Sequence, residues 1–549
     1  MNSEFENVLR STYKNYDYIV MNKVPKKPKI TNFFNSDEAI ELLKTHIDRG
    51  SKIAIHADVD LDGIGSAYIM NRFLIKEMRS RPYLLINNVK RHGITEAYVE
   101  PLTKLGIELL IIVDSSSNNY ETIEKFECDV LVIDHHIVDT MVYSGKTQSG
   151  RYYIVNNTVP NFDVYEPDYA FSAGMVVYEF LRAYLDKLGK EDWMFEAKLY
   201  QWAVLTLFTD IISMDSERNQ YYANYTIFNM NIEPALCVLL RSFSKYMTSV
   251  SKSVILFKLG PYVNQAIRAG ACKEVLAIFM NNPANILELD KDGKYSELQA
   301  EALEFAETAV VGDCYGYADM TNSNIKSSYS GVIAAGILNK TEKSAVAFKE
   351  KNGICKGSFR GKYQLNYKDM FSSYCMDKDH TFAQGHANVF GFALHRETLM
   401  SILTNLKDIE KNYKDMWLIT AGNMPQDYRG KYHIDNLALF AKSLGLANIG
   451  LMNSKLVSTE DISLYVMNSS DVIYKKREVK RVIKENADDS KHKKSKKDVY
   501  DVSLYGIRAI AFEPLTSDIL KVYVEFSEKL DVFVSNYTNL NGRREINET

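Results

Sequence analysis

Six cysteines in 549 residues (Cys128, Cys237, Cys272, Cys314, Cys355 and Cys375) form no CxxC pair. That spacing excludes a zinc knuckle and a disulfide framework, and reduced, buried thiols are expected. Proline (11) and glycine (27) are sparse, which argues against long linkers. No apolar run approaches the roughly 18 residues of a membrane span. The nearest, 202–214, is short and contains Asp210. The opening MNSEFENVLRSTYKNYDYIV has early acidic residues and lacks the apolar core of a signal peptide. A cytoplasmic protein with no membrane partner is therefore expected. Charge of one sign is lacking too: Lys+Arg 66 against Asp+Glu 70 gives a formal charge of -4. This excludes a uniformly basic nucleic-acid coat but leaves room for a local basic patch. There is no internal repeat.

What is present is an ordinary globular composition, 46% hydrophobic and 25% charged, long enough for about three or four domains. Residues 35–50 read as a helix, capped by Asn35 or Ser36 and closed by Gly50. Short β-rich runs follow at 52–57, 108–115, 129–136 and 152–157, separated by helical stretches. Continuously apolar strands alternating with helices predict a doubly wound α/β domain with a parallel sheet, over 1–235. A helical connector is expected over 236–320, then a smaller α/β domain over 321–412. A strand-rich domain is expected over 413–549, with a lysine-rich interval at 475–497.

In a doubly wound sheet, residues just past the carboxyl ends of the strands form the ligand crevice. The chain places its ionisable groups there. The first strand runs into His56-Ala57-Asp58-Val59-Asp60-Leu61-Asp62-Gly63, the second ends at Asp114, the third at Asp134-His135-His136, and a helix delivers Asp210. One such acid alone is usually a helix cap or a loop carboxylate. Four clusters in this order would repel one another unless cations sat among them. Oxygen-rich sites with an imidazole or two suit Mn²⁺ or Mg²⁺ better than zinc. No Ser-His-Asp or Cys-His set competes with them.

The order HxDxDxDG, strand-Asp, Asp-His-His and helical Asp resembles the DHH phosphoesterase superfamily, and within it the RecJ-like nucleases. FSAGMVVYEF (171–180) and GPYVNQAIRAG (260–270) are similar to further family segments, while GVIAAG, KGSFRG and QGHANVFGF resemble the smaller DHH-associated domain. The resemblance implies two divalent ions, Mn²⁺ or Mg²⁺. His56 and Asp60 would hold one, Asp62, His135 and Asp210 the other, and Asp114 would bridge them. Asp58 and Asp134 would orient the ligands, and His136 would face the scissile phosphate, making His136, Asp134 and Asp58 the catalytic set. Substrate phosphates would meet Arg91, His92, Asn264, Arg268, Ser358, Arg360, Gly385 and His386. The family's glycine run before that last histidine is partly replaced by Ala383-Gln384.

The implied activity is single-stranded DNA exonuclease action from the 5′ end, releasing mononucleotides in recombination, repair or replication. The strand-rich C-terminus would be an oligonucleotide-binding (OB) barrel, and RNA or short oligonucleotides are further substrates. Two alternatives stand beside it. One is a phosphodiesterase for oligoribonucleotides or cyclic-dinucleotide products. The other is an inactive scaffold binding replication or repair proteins.

Overall fold

The computed structural model describes residues 27–89, 92–138, 141–159, 170–190, 192–212, 216–228, 232–244, 254–362, 366–375, 380–386 and 388–421, with segments of 462–536. In the first unit, six strands make one sheet: β1 (Ile53–Ala57), β2 (Tyr83–Ile86), β3 (Leu109–Val113), β4 (Asp129–Asp134), β5 (Ser144–Lys146) and β6 (Arg151–Asn156). Their spatial order is β2-β1-β3-β4-β6-β5, parallel throughout except for the β5–β6 hairpin.

Both faces are buried, which explains the continuous apolar strands. Ile53, Ile55, Leu109, Ile111 and Val113 face one core with α1 (Ser36–Arg49), α2 (Leu61–Met78), α5 (Ala173–Lys187) and α6 (Trp193–Thr209). Ala54, Leu110 and Ile112 face the other, smaller core, with Leu102 of α3 (Val99–Leu105) and Ile123 of α4 (Tyr120–Ile123). The strand order reverses between β1 and β3, so their outgoing loops diverge and leave a crevice at the carboxyl edge.

Glycines hold the helices around that crevice close together. A Cβ on Gly174 of α5 would lie 2.4 Å from Thr206 Oγ1, and one on Gly65 of α2 would lie 2.5 Å from Thr206 Cγ2. Ser172, the N-cap of α5, also shares a 2.8 Å hydroxyl hydrogen bond with Thr206.

The chain continues through α7 (Glu217–Phe228), α8 (Pro234–Arg241), α9 (Gly260–Ala269), α10 (Cys272–Asn281) and α11 (Lys294–Phe305) into a second six-stranded sheet. That sheet contains β7 (Val310–Val311), β8 (Tyr315–Asp319), β9 (Ser344–Lys351), β10 (Ile354–Arg360), β11 (Phe382–His386) and β12 (Val389–His395), in the order β11-β12-β10-β9-β8-β7. Helices α12 (Ser330–Thr341), α13 (Tyr367–Ser372) and α14 (Arg396–Ala421) accompany it.

Two boundaries differ from the sequence expectation. The smaller unit begins with β7 and β8 inside the expected connector, because two short strands beside a helix give no periodic signal of their own. The 412/413 boundary falls within α14.

The third sheet comprises β13 (Ile462–Met467), β14 (Val472–Lys476), β15 (Tyr500–Leu504), β16 (Ile507–Ala511), β17 (Ile519–Phe526) and β18 (Leu530–Asn536), in the order β13-β17-β18-β16-β15-β14. Of the lysine-rich interval, only Lys475 and Lys476 in β14 are described; 477–497 lies outside the described residues. No helix among the described residues is long and apolar enough to cross a membrane.

Gly174→Ala should lower stability by about 1–3 kcal/mol, because the new methyl has no room against Thr206. Denaturant unfolding of the two proteins measures this, and an unchanged midpoint would show that α5 and α6 can part freely.

Candidate metal centre

The end of β1 turns abruptly into α2. Asp60 caps the helix by accepting from the Gly63 N–H at 3.1 Å. Gly63 has to be glycine, since a Cβ there would stand 2.6 Å from the Asp58 carbonyl oxygen. One residue into α2, the Asp62 carboxylate is buried and accepts from Ala173 N (2.8 Å), Gly174 N (2.9 Å) and Ser66 Oγ (3.3 Å). It thus sits on the N-terminus of α5, whose amide dipoles favour a negative charge.

Asp114 follows β3 in the left-handed backbone region, at φ 62°. A non-glycine residue held there is strained, a condition that concentrates at functional sites. Asp210 closes α6 as its C-cap.

His135 links these groups. Its Nδ1 donates to the Phe171 carbonyl at 2.9 Å, which leaves the Nε2 lone pair facing inward. Nε2 lies 3.4 Å from Asp114 Oδ1, 3.6 Å from Asp210 Oδ2 and 3.7 Å from Asp62 Oδ2.

Three overlapping groups of potential ligand atoms result: Asp62 with His135 and Asp210; Asp58 with Asp60 and Asp114; and Asp114 with His135 and His136. The first brings together the three residues expected to share one ion. In the second, Asp58 stands where His56 was expected and His56 is absent. The His56 ring packs edge-on against Tyr98 instead, centroids 5.1 Å apart, while Asp58 lies past the end of β1.

The electrostatics call for cations. Burial, reinforced by Asp60, pushes the Asp62 carboxyl up to about 6. Burial, with Asp62 and Asp60, pushes Asp210 up to about 7. Asp114 is held well above the ordinary range by burial and then by the charges of Asp62, Asp60, Asp58 and Asp134. Burial pulls His56 down to about 4. Asp114 Oδ1 and Asp210 Oδ2 are buried without a hydrogen-bond partner. Buried, unpartnered oxygens beside the inward-facing Nε2 of His135 fit divalent ions.

Two histidines face this cluster as His–Asp pairs. His136 Nδ1 is 2.8 Å from Asp134 Oδ1, and His92 Nδ1 is 3.0 Å from Asp58 Oδ2. Their rings lie 4.5 Å apart. Burial raises the Asp134 carboxyl, but His136, through charge and hydrogen bond, more than offsets it and holds it well below the usual range. Burial works likewise against Asp58, where His92 prevails. Burial would lower His92, but the Asp58 charge raises it to about 9.

Sequence reasoning missed the groups that fix the His136 backbone. Its carbonyl accepts from Asn156 Nδ2 (2.9 Å) and Thr158 Oγ1 (3.2 Å), and Ser117 N donates to Asp134 Oδ2 at 3.2 Å. The polar run Asn156-Asn157-Thr158, directly after β6, was the available signal.

A second polar cluster lies where α9 meets the second sheet. Burial, then the charge of Arg268, pushes the Arg360 guanidinium down to about 10, and burial lowers Arg268 as well. Neither has an ion pair with a carboxylate among the described residues. Ser358 and Ser330 hydroxyls are 2.9 Å apart. Gly331, in the first turn of α12, leaves room for Arg360, whose Nη2 lies 2.5 Å from where its Cβ would be. Asn264 lies one turn before Arg268 on α9. Gly385, at φ 130°, is the penultimate residue of β11, and His386 ends the strand. Arg91 and the side chain of His386 lie outside the described residues.

With this geometry in view, the model of the DHH family, N-terminal domain, matches residues 52–206. Residues 52–206 are a DHH-family domain. The chain is 25% identical over 427 residues to YorK of Bacillus subtilis (strain 168), named as an SPbeta prophage-derived single-strand DNA-specific exonuclease. That alignment covers 70% of this chain and 69% of YorK. It is 22% identical over 404 residues to the single-stranded-DNA-specific exonuclease RecJ of the same organism, covering 68% of this chain and 48% of RecJ. Among solved structures, RecJ from Thermus thermophilus in complex with Mn²⁺ superposes with TM-score 0.64 at 15% identity, over 95% of this chain and 74% of that one. Exonuclease RecJ bound to manganese gives 0.52 at 18% identity, over 70% and 96%. The DHH-domain chain therefore has a RecJ-like fold.

Raised carboxyl pKa values mean that the folded, metal-free protein holds protons the unfolded chain has released. Stability from Asp62 and Asp210 is then fully present below about pH 4 and lost as pH rises through about 6 and 7. His56, depressed to about 4, acts oppositely: its contribution is lost as pH falls below about 6.5, so it offsets only part of the change. Ions that bind the deprotonated groups should therefore stabilise more as pH rises. The shift in melting temperature on adding Mn²⁺ should grow between pH 5 and pH 8; a shift constant with pH would contradict this charge balance.

Proposed function

We propose that the chain is a divalent-metal-dependent exonuclease that degrades single-stranded DNA from its 5′ end to mononucleotides. The observation that carries the proposal is the convergence of three overlapping ligand groups on His135 and Asp114 at the switch point of the sheet. Two Mn²⁺ or Mg²⁺ ions bound there would activate a shared water and neutralise charge on the phosphate. Asp62, His135 and Asp210 would hold one ion, and Asp58, Asp60 and Asp114 the other, with His56 behind them.

The remaining work falls to the chain's own residues. Asp134 fixes His136 through Nδ1, which directs Nε2 outward to hold or give a proton at the phosphate or leaving oxygen. Asp58 presents His92 in the same way as a second phosphate donor. Arg268 and Arg360, half-buried without carboxylate partners among the described residues and joined by Ser330, Ser358 and the N-terminus of α12, suit a terminal phosphate dianion.

The third sheet supports a polymeric substrate. Strands β14, β15 and β16 form a meander, β16 pairs in parallel with β18, and β17 joins β18 to β13. This pairing pattern supports the reading of the third sheet as an oligonucleotide-binding barrel. A role in recombination, repair or replication follows from this activity, in the cytoplasm.

The test offers end-labelled single-stranded DNA, duplex DNA, RNA and a dinucleotide, with Mn²⁺, Mg²⁺ or chelator. Single-stranded DNA bearing a 5′ phosphate should be degraded from that end, and chelator should stop the reaction. Asp114→Asn should remove the activity with the fold intact. Arg360→Ala should weaken use of 5′-phosphorylated strands about tenfold or more. Degradation of the dinucleotide alone would overturn the proposal.

A further inference from the structure

Ile211 directly follows the site residue Asp210, at φ 53°. It is the one β-branched residue in the left-handed region among the described residues. At the end of a helix that position ordinarily takes glycine, because a β-branched side chain there crowds its own backbone. The helix closure itself asks nothing of the Ile211 side chain. Ile211 N donates to Phe208 O at 3.2 Å, and Ile212 N donates to Leu207 O at 3.0 Å, so backbone alone ends α6. Ile212, not Ile211, packs against the core. The Ile211 side chain is instead 67% exposed.

A second aliphatic repeats this placement on another loop. Ile137 directly follows His136, is 57% exposed, and has its carbonyl fixed by Asn118 Nδ2 at 2.9 Å. The two loops meet at the centre, since Asp210 Oδ2 lies 3.6 Å from Nε2 of His135, the neighbour of His136. Two exposed isoleucines therefore directly follow His136 and Asp210 on the loops that carry site residues into the crevice. A phosphate has no use for such surfaces. A nucleobase has apolar faces, and aliphatic side chains of this kind lodge between bases and unstack them.

We propose that Ile211 and Ile137 form an apolar lip that packs against the bases of the strand entering the metal centre and separates the terminal base from its neighbour. The inference rests on the single-strand nuclease reading and adds to it the part of the substrate that is gripped apart from its phosphates. It gives single-strand selectivity a physical source, because a paired base offers its faces only to the stack.

The test uses the full chain and compares oligonucleotides whose first three nucleotides at the 5′ end carry thymine or are abasic, with identical phosphates. Binding is read by fluorescence anisotropy in Ca²⁺ and cleavage in Mn²⁺. The wild-type protein should prefer the base-bearing strand by about tenfold. Ile211→Gly and Ile137→Ala should each lose most of that preference, while Ile211→Gly melts no lower than wild type because its backbone is relieved. A preference unchanged in both variants would overturn the lip and leave the nuclease reading standing. Lip-dependent binding without cleavage of any strand would overturn the nuclease reading and leave the lip standing.

Discussion

Buried carboxylates of like charge repel one another, and the structure is organised to hold several of them at close quarters. Asp58, Asp60 and Asp62 from the β1–α2 turn meet Asp114 and Asp210 in one crevice, where Asp58, Asp62 and Asp114 are buried and Asp60 and Asp210 half-buried. Local devices make this tolerable one group at a time. The N-terminus of α5 takes part of the charge of Asp62, the α2 cap takes Asp60, and His92 takes Asp58. One oxygen each of Asp114 and Asp210 is left without such relief, which is what a site meant for cations requires. The glycines at 63, 65 and 174 follow from the same constraint, because they let backbone and helices approach closely enough for the acids to converge.

A second, opposite imbalance lies in the contact between α9 and the smaller sheet. Burial lowers both Arg268 and Arg360 there, and the charge of Arg268 lowers Arg360 further. A phosphodiester chain is the kind of ligand that satisfies both places, since metal ions can bind one phosphate while the guanidinium pair binds another. The near-neutral total of 66 basic against 70 acidic residues thus averages two unbalanced clusters.

Much of this was readable from residue order. The apolar runs at 52–57, 108–115, 129–136 and 152–157 are strands of one parallel sheet, and the acids at their ends meet because a doubly wound topology brings carboxyl ends together. Less legible were features that depend on what packs against what. Strand β5 is three residues of Ser-Gly-Lys with no β signal, and exists because β6 offers it an edge. That His56 packs on Tyr98 while Asp58 joins a ligand group depends on tertiary contacts. The hold of Asn156 and Thr158 on His136 joins residues about twenty positions apart. The strain at Ile211 is a backbone angle, and residue types alone do not disclose it.

The central claim is that this crevice is built for a pair of divalent ions. Anomalous diffraction from crystals grown with Mn²⁺ tests it directly. Two peaks about 3.5–4 Å apart are predicted, one against Asp62, His135 and Asp210 and the other against Asp58, Asp60 and Asp114. A single peak, or ions bound elsewhere with these carboxylates unchanged, would contradict the account.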